Sequence, residues 1–154
     1  MENIQRISSF CVDHDRLKPG IYISRVDGDV TTYDLRTRTP NAGAYMDTRT
    51  AHSVEHMFAT YIRNSAIGGN VLYFGPMGCR TGFYLLVRSL APDAVLGAVK
   101  ETLEKICMHE GSVYGATRRE CGNYLDLSLE DAKRECAAYL DVLNQKKEIT
   151  FRYE

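Results

Sequence analysis

The sequence predicts an α+β fold, an antiparallel β-sheet covered by helices, with residues 1–154 forming a single domain. Three observations carry this. Asp27-Gly28-Asp29 sits between two strand-like segments and marks a tight hairpin. Three segments carry apolar residues at helical spacing. Strands and helices do not alternate strictly, as a doubly wound parallel sheet would require. A chain of 154 residues can bury a sizeable core within one domain. No repeat, low-complexity stretch or linker divides it.

The elements follow in order. Residues Ile4 to Val12 read as a strand with imperfect alternation. Gly20 to Val26 and Val30 to Arg36 form the hairpin, and Leu35 to Tyr45, with Pro40, Asn41 and Gly43, reads as a loop. A first helix spans about Thr48 to Ala66. Val54, Met57, Phe58, Tyr61 and Ile62 form its apolar stripe, Asp47, Thr48 or Thr50 caps it, and Gly68-Gly69 ends it. Strands Asn70 to Phe74 and Thr81 to Ser89 flank Gly75-Pro76-Met77-Gly78. A second helix begins near Pro92, a favoured first-turn residue, and runs to about Glu110 with Leu96, Val99, Leu103 and Ile106 inward. Leu129 to Leu143 is a third helix.

Composition excludes several classes. The 19 basic and 20 acidic residues nearly cancel, and no basic block stands out. Neither nucleic acid nor an anionic membrane surface is therefore an expected partner. The N-terminus lacks the apolar segment of a secretory signal, and the apolar runs are too short to span a bilayer. The expected location is cytoplasmic. Five cysteines (Cys11, Cys79, Cys107, Cys121, Cys136) without C-x-x-C spacing read as thiols, ligands or core residues rather than a disulfide set.

The strongest chemical signal is His52-Ser53-Val54-Glu55-His56. Two histidines four apart on a helix point the same way and can grip one divalent ion. Glu55 flanks them, within reach for proton transfer. Their face lies opposite the apolar stripe and also carries Ala59 and Arg63, so a loop or a second subunit must cover it. A catalytic metal site takes three protein ligands and leaves a fourth position open. Cys121, in the loop segment Glu120-Cys121-Gly122-Asn123-Tyr124, is the best third ligand. One thiolate with two imidazoles suits Zn2+, Co2+ or Fe2+, and not Mg2+ or Ca2+. Cys79 follows the Gly75 to Gly78 turn at the start of a strand, where a thiol can project into a cleft. Cys107 and Cys136 lie beside apolar helical faces and belong to the core, Cys11 to strand packing, and His109 to a solvated helix end. These residues alone leave three readings open: a metal-dependent lyase, an H-x-x-E-H zinc peptidase, and a binding module with a structural metal.

Three segments resemble the signatures of the LuxS family, the S-ribosylhomocysteine lyases: His52 to His56, Pro76-Met77-Gly78-Cys79-Arg80-Thr81-Gly82-Phe83-Tyr84, and Glu120 to Tyr124. Ser9-Phe10-x-Val12-Asp13-His14 and Tyr33-Asp34-Leu35-Arg36, before Pro40-Asn41, agree with them in family order. The resemblance implies a homodimer with its active sites at the subunit interface. It implies Fe2+ as the native metal, with Zn2+ or Co2+ as substitutes, bound by His52, His56 and Cys121. It implies Cys79 and Glu55 as the acid/base pair, and Ser9, His14 and Arg36 as substrate-binding residues. The implied reaction splits S-ribosylhomocysteine into homocysteine and 4,5-dihydroxy-2,3-pentanedione, precursor of the quorum-sensing autoinducer-2, by carbonyl migration and β-elimination. Two positions depart from the family pattern: Thr37 stands where an aromatic residue often follows the arginine, and Tyr73 where an acidic residue is frequent.

Overall fold

The computed structural model describes residues 3–154. Its order is a 3-10 turn at Ser8–Cys11, then β1 (Gly20–Asp27), β2 (Val30–Arg36), α1 (Thr48–Arg63), a second 3-10 turn at Gly68–Asn70, β3 (Val71–Pro76), β4 (Gly82–Arg88), α2 (Pro92–Met108) and α3 (Leu129–Gln145). The strands form one antiparallel sheet in the order β1-β2-β4-β3. The hairpin turns at Gly28, whose φ of +62° is one that glycine adopts without steric cost.

Register sorts the side chains. Leu35 lies between Ile21 and Phe83, and Tyr33 between Ile23 and Leu85, so these residues share one face of the sheet. That face is the core side, covered by helices. Val54, Met57, Phe58 and Ile62 of α1, Val95, Val99, Leu103 and Ile106 of α2, and Cys136, Tyr139 and Leu143 of α3 are buried against it. Phe58 stacks on Phe74, and Phe74 on Phe83, at ring distances of 4.2 and 5.1 Å. The opposite face carries Asp34 and Arg36 on β2 and Tyr84 on β4. Asp34 and Arg36 are only 1% and 2% exposed, although most of that face is polar.

The helices start and stop for local reasons. The Asp47 carboxylate accepts from the Thr50 backbone N–H at 2.7 Å and caps α1, Pro92 occupies the first turn of α2, and Ser128 caps α3. Helix α1 ends at Arg63, five residues before Gly68. No helix among the described residues is long and apolar enough to cross a membrane.

The first expected strand is absent. Of Ile4 to Val12, residues Ser8–Cys11 form a 3-10 turn, and Ile4, Ile7 and Phe10 are exposed. With no neighbouring strand to pair with, apolar alternation there has no sheet to join. Cys11 is accordingly exposed rather than packed. Leu35 and Arg36 belong to β2 and not to the following loop. Cys136 is buried and Cys107 half-buried, as expected of helix-flank thiols.

Replacing Asp47 with Ala removes the α1 cap and should cost about 0.5–2 kcal/mol in urea unfolding at pH 7. The hydrogen bonds from Thr50 hold the Asp47 carboxyl below its ordinary range. Its contribution is therefore complete above the unfolded value of about 3.9 and fades as pH falls through the lower folded value. The gap between wild type and Asp47→Ala should narrow in acid; a gap that widens there would contradict the cap.

Candidate metal centre and active site

Helix α1 presents His52 and His56 one turn apart, and the loop between α2 and α3 brings Cys121 to them. One ligand atom from each lies within 4.8 Å of the others, and Cys121 Sγ is 3.4 Å from His52 Nε2. Metal bonds of 2.0–2.3 Å separate tetrahedral neighbours by roughly 3.5 Å, so this donor set fits a first-row divalent ion.

Each imidazole is oriented by its other nitrogen. His52 Nδ1–H donates to the Asp126 carbonyl at 3.1 Å, and the Asp126 carboxylate lies 3.4 Å from the same atom. His56 Nδ1–H donates to the Tyr114 carbonyl at 2.7 Å. Both Nε2 atoms are thereby left as acceptors for a cation. The Asn123 N–H points at Cys121 Sγ from 3.4 Å. Buried Ser53, between the two histidines, donates to Arg49 O and accepts from Ser128 N–H at 2.8 Å. It ties the start of α3, and so Asp126, to the helix carrying His52. Gly115, at φ +70°, lies against His56; a Cβ there would stand 3.1 Å from Nδ1. Glu55, half-buried, sits between the two ligands in the helix.

Cys79 lies elsewhere on the surface of the chain. It is exposed in the turn between β3 and β4, not at a strand start, because pairing resumes only at Gly82. The turn is tied by Arg80 N–H to Met77 O and by Met46 N–H to Arg80 O, both 3.0 Å, with Arg80 at φ +61°. Cys79 and Thr81 border a cleft of about 180 Å³ with His14, Pro40, Asn41 and Tyr45. The metal-binding group and Glu55 do not border this cleft. Arg36 Nη1 donates to Thr81 Oγ1 at 2.8 Å and lies 3.9 Å from Cys79 Sγ. Thr81 keeps its own hydrogen and can donate it to the sulfur, 3.1 Å away. Asp34 grips the same guanidinium through Nε at 3.1 Å and Nη2 at 2.6 Å. Tyr153 donates to Asp34 Oδ2 at 2.7 Å while stacking on Tyr22. Burial first, then the Asp34 charge, pushes the Tyr153 phenol far up, so it stays a donor.

Among the other expected residues, His14 lines the cleft, with Nδ1 against Val12 O at 2.8 Å. Half-buried Ser9 lies beside the Tyr84 hydroxyl. The structure thus gathers Ser9, His14, Arg36 and Cys79 into one neighbourhood and His52, Glu55, His56 and Cys121 into another.

Residues 7–150 match the family described as S-Ribosylhomocysteinase (LuxS). The chain belongs to the LuxS family. It is 43% identical to the S-ribosylhomocysteine lyase of Finegoldia magna, covering 97% of this chain and 99% of that protein. The S-ribosylhomocysteine lyase of Clostridium acetobutylicum is 40% identical over 94% of this chain and 97% of its own length. That of Borreliella burgdorferi is 38% identical over 97% and 99%. The Tyr73 departure from this LuxS pattern has a local partner. The exposed Tyr73 phenol lies across Gly75, filling the space a side chain would take there.

Sequence reading missed Ser53, Asp34, Thr81, Tyr114, Asp126 and Tyr153. Ser53 and Thr81 lie inside the signature segments and Asp34 inside a supporting one, so these three carried a signal by position. Tyr114 and Asp126 act partly through backbone carbonyls, which every residue has.

Asp34→Ala would leave the buried Arg36 guanidinium without its carboxylate. A loss of about 3–5 kcal/mol is expected in denaturant unfolding. A loss under 1 kcal/mol would mean that water reaches Arg36 and that the pair is not the anchor of this face.

Proposed function

We propose that this chain is an S-ribosylhomocysteine lyase, a metal-dependent carbon–sulfur lyase, folded as a single domain over residues 1–154. The observation that carries this reading is a His-His-Cys group on a chain that matches LuxS lyases over nearly its whole length. His52, His56 and Cys121 hold the ion, Fe2+ natively, with Zn2+ or Co2+ able to substitute. When bound, the ion supplies Lewis acidity that draws negative charge from substrate oxygens.

The thioether of the substrate is not activated, so the sugar carbonyl must first migrate from carbon 1 to carbon 3. Cys79 as thiolate takes the proton on the carbon beside the carbonyl and returns it to the former carbonyl carbon. Glu55 moves the hydroxyl proton of the carbon beside it to the former carbonyl oxygen, in the same sense, and the cycle runs twice. With the carbonyl at carbon 3, removal of the proton on carbon 4 expels the sulfur on carbon 5. The electron pair leaves on homocysteine thiolate, which takes a proton from Glu55. Cys79, having taken the carbon 4 proton, returns it to carbon 5 of the resulting enol, whose hydroxyl proton goes back to Glu55. The second product is 4,5-dihydroxy-2,3-pentanedione, the autoinducer-2 precursor used in quorum sensing. The liberated homocysteine returns to the methyl cycle. Ser9, His14 and Arg36 hold the substrate at the Cys79 cleft, and Arg36 and Thr81 direct hydrogen bonds at the Cys79 sulfur.

The working form is a homodimer in which the metal group of one protomer faces the Cys79 cleft of its partner. Support comes from the two residue sets bordering different surfaces of one chain, and from exposed Ile7, Phe10, Leu72 and Tyr73. The free thiols fit a reducing, cytoplasmic setting.

Anaerobic purification with metal analysis, followed by S-ribosylhomocysteine and a free-thiol readout, tests the reaction; absence of thiol release from metal-loaded protein would reject it. Cys79→Ala should keep its metal and lose at least ~10²–10⁴-fold in rate, whereas Cys121→Ala should lose metal. Mixing these two inactive variants and allowing subunit exchange should restore part of the activity, because half of each heterodimer's sites then carry neither defect. No recovery despite verified exchange would place both halves of the site in one chain.

A further inference from the structure

We infer that Tyr61 and His109 are positioning residues for the metal ligand His56, acting through the backbone carbonyl of Tyr114. The inference rests on the metal reading above and concerns residues outside the signature segments. His109, expected to be solvated, is half-buried just beyond the end of α2 and is engaged on every side. Its Nε2–H donates to Ser112 O at 2.9 Å. That leaves Nδ1 as the acceptor for the Tyr61 hydroxyl at 2.8 Å. Lys133 of α3 donates to the His109 carbonyl at 2.7 Å. Three helices therefore meet at this residue.

The chain then doubles back through Gly111 and Gly115, both at positive φ. Most of this segment is exposed, and Val113 is its buried residue. The Tyr114 ring packs edge-on against Tyr61 and His109, with ring centroids 5.4 and 4.9 Å away. From the same residue, the carbonyl receives His56 Nδ1–H. Tyr61 stands five positions after His56 on α1, so the contacts close a circuit that leaves that helix and returns to it. Burial, then the neighbouring Tyr114, pushes the Tyr61 phenol up to about 12, which keeps its proton in place as the donor.

A glycine-bearing exposed loop would otherwise sample many carbonyl directions, and orienting His56 would cost that entropy each time a metal bound. The clamp removes this freedom beforehand. It does not contact His52, whose ring is oriented independently by Asp126.

The test is anaerobic titration of metal-free protein with Co2+, read by chelator competition and by visible absorption. Wild type should bind one Co2+ per chain with a thiolate charge-transfer band. Failure there would sink the metal centre, and the clamp with it. Tyr61→Phe keeps the ring packing and removes only the hydroxyl. It should bind Co2+ about tenfold more weakly, with altered ligand-field bands and the thiolate band retained. His109→Leu should behave alike, while His109→Asn, which offers an acceptor near the Nδ1 position, should recover most of the affinity. Wild-type affinity and spectrum in both folded Tyr61→Phe and folded His109→Leu would overturn the inference, even with the metal centre intact. Equal weakening in His109→Asn and His109→Leu would also overturn it.

Discussion

The candidate chemistry depends on two imidazoles being held with the same nitrogen forward. Helical spacing brings His52 and His56 to one side of α1, but it does not choose between Nδ1 and Nε2. Two backbone carbonyls, from Asp126 and Tyr114, make that choice by accepting from Nδ1. Both belong to the long connection between α2 and α3 that also carries Cys121. One stretch of irregular chain therefore supplies the third donor and aims the other two. Its own anchors are side chains that reach across the helical layer: Ser53 to Ser128, Lys133 to the His109 carbonyl, and Tyr61 to the His109 ring.

The sheet solves a different problem on its outer face. A buried arginine is costly unless a carboxylate and other acceptors meet it. Asp34 supplies two oxygens, Thr81 a third, and Tyr153 fixes Asp34 from the C-terminal segment. The antiparallel register is what makes this possible, since Arg36 lies opposite Gly82 and next to the turn holding Cys79. A cation is thus kept beside a thiol by groups that belong to the fold as much as to the site. The exposed turn, with Arg80 at positive φ, carries Cys79 where β3 gives way to β4.

Much of the framework was legible in the residues. The hairpin at Asp27-Gly28-Asp29, the Asp47 cap and the Pro92 start are local signals read by nearby backbone, and the structure keeps all three. The first strand was not legible, because alternation in Ile4 to Val12 predicts a strand only if a partner edge exists. The shift of Cys79 from strand to turn has the same origin, since pairing beyond Gly82 depends on β2 and not on the Cys79 neighbourhood. His109 looked like a free helix end, because its partners Tyr61 and Lys133 lie 48 and 24 positions away.

The sequence by itself determined which donors are available and which of them share a helix face, because one turn of helix converts spacing directly into direction. It also determined the family, since the signature segments retain their order along nearly the whole chain. Tertiary structure alone decided how Cys121 reaches the histidines, which nitrogens face it, and that Cys79 sits with Arg36 rather than with the metal group. Those outcomes rest on contacts between residues far apart in the chain, where loop path and packing, and not local pattern, set the geometry.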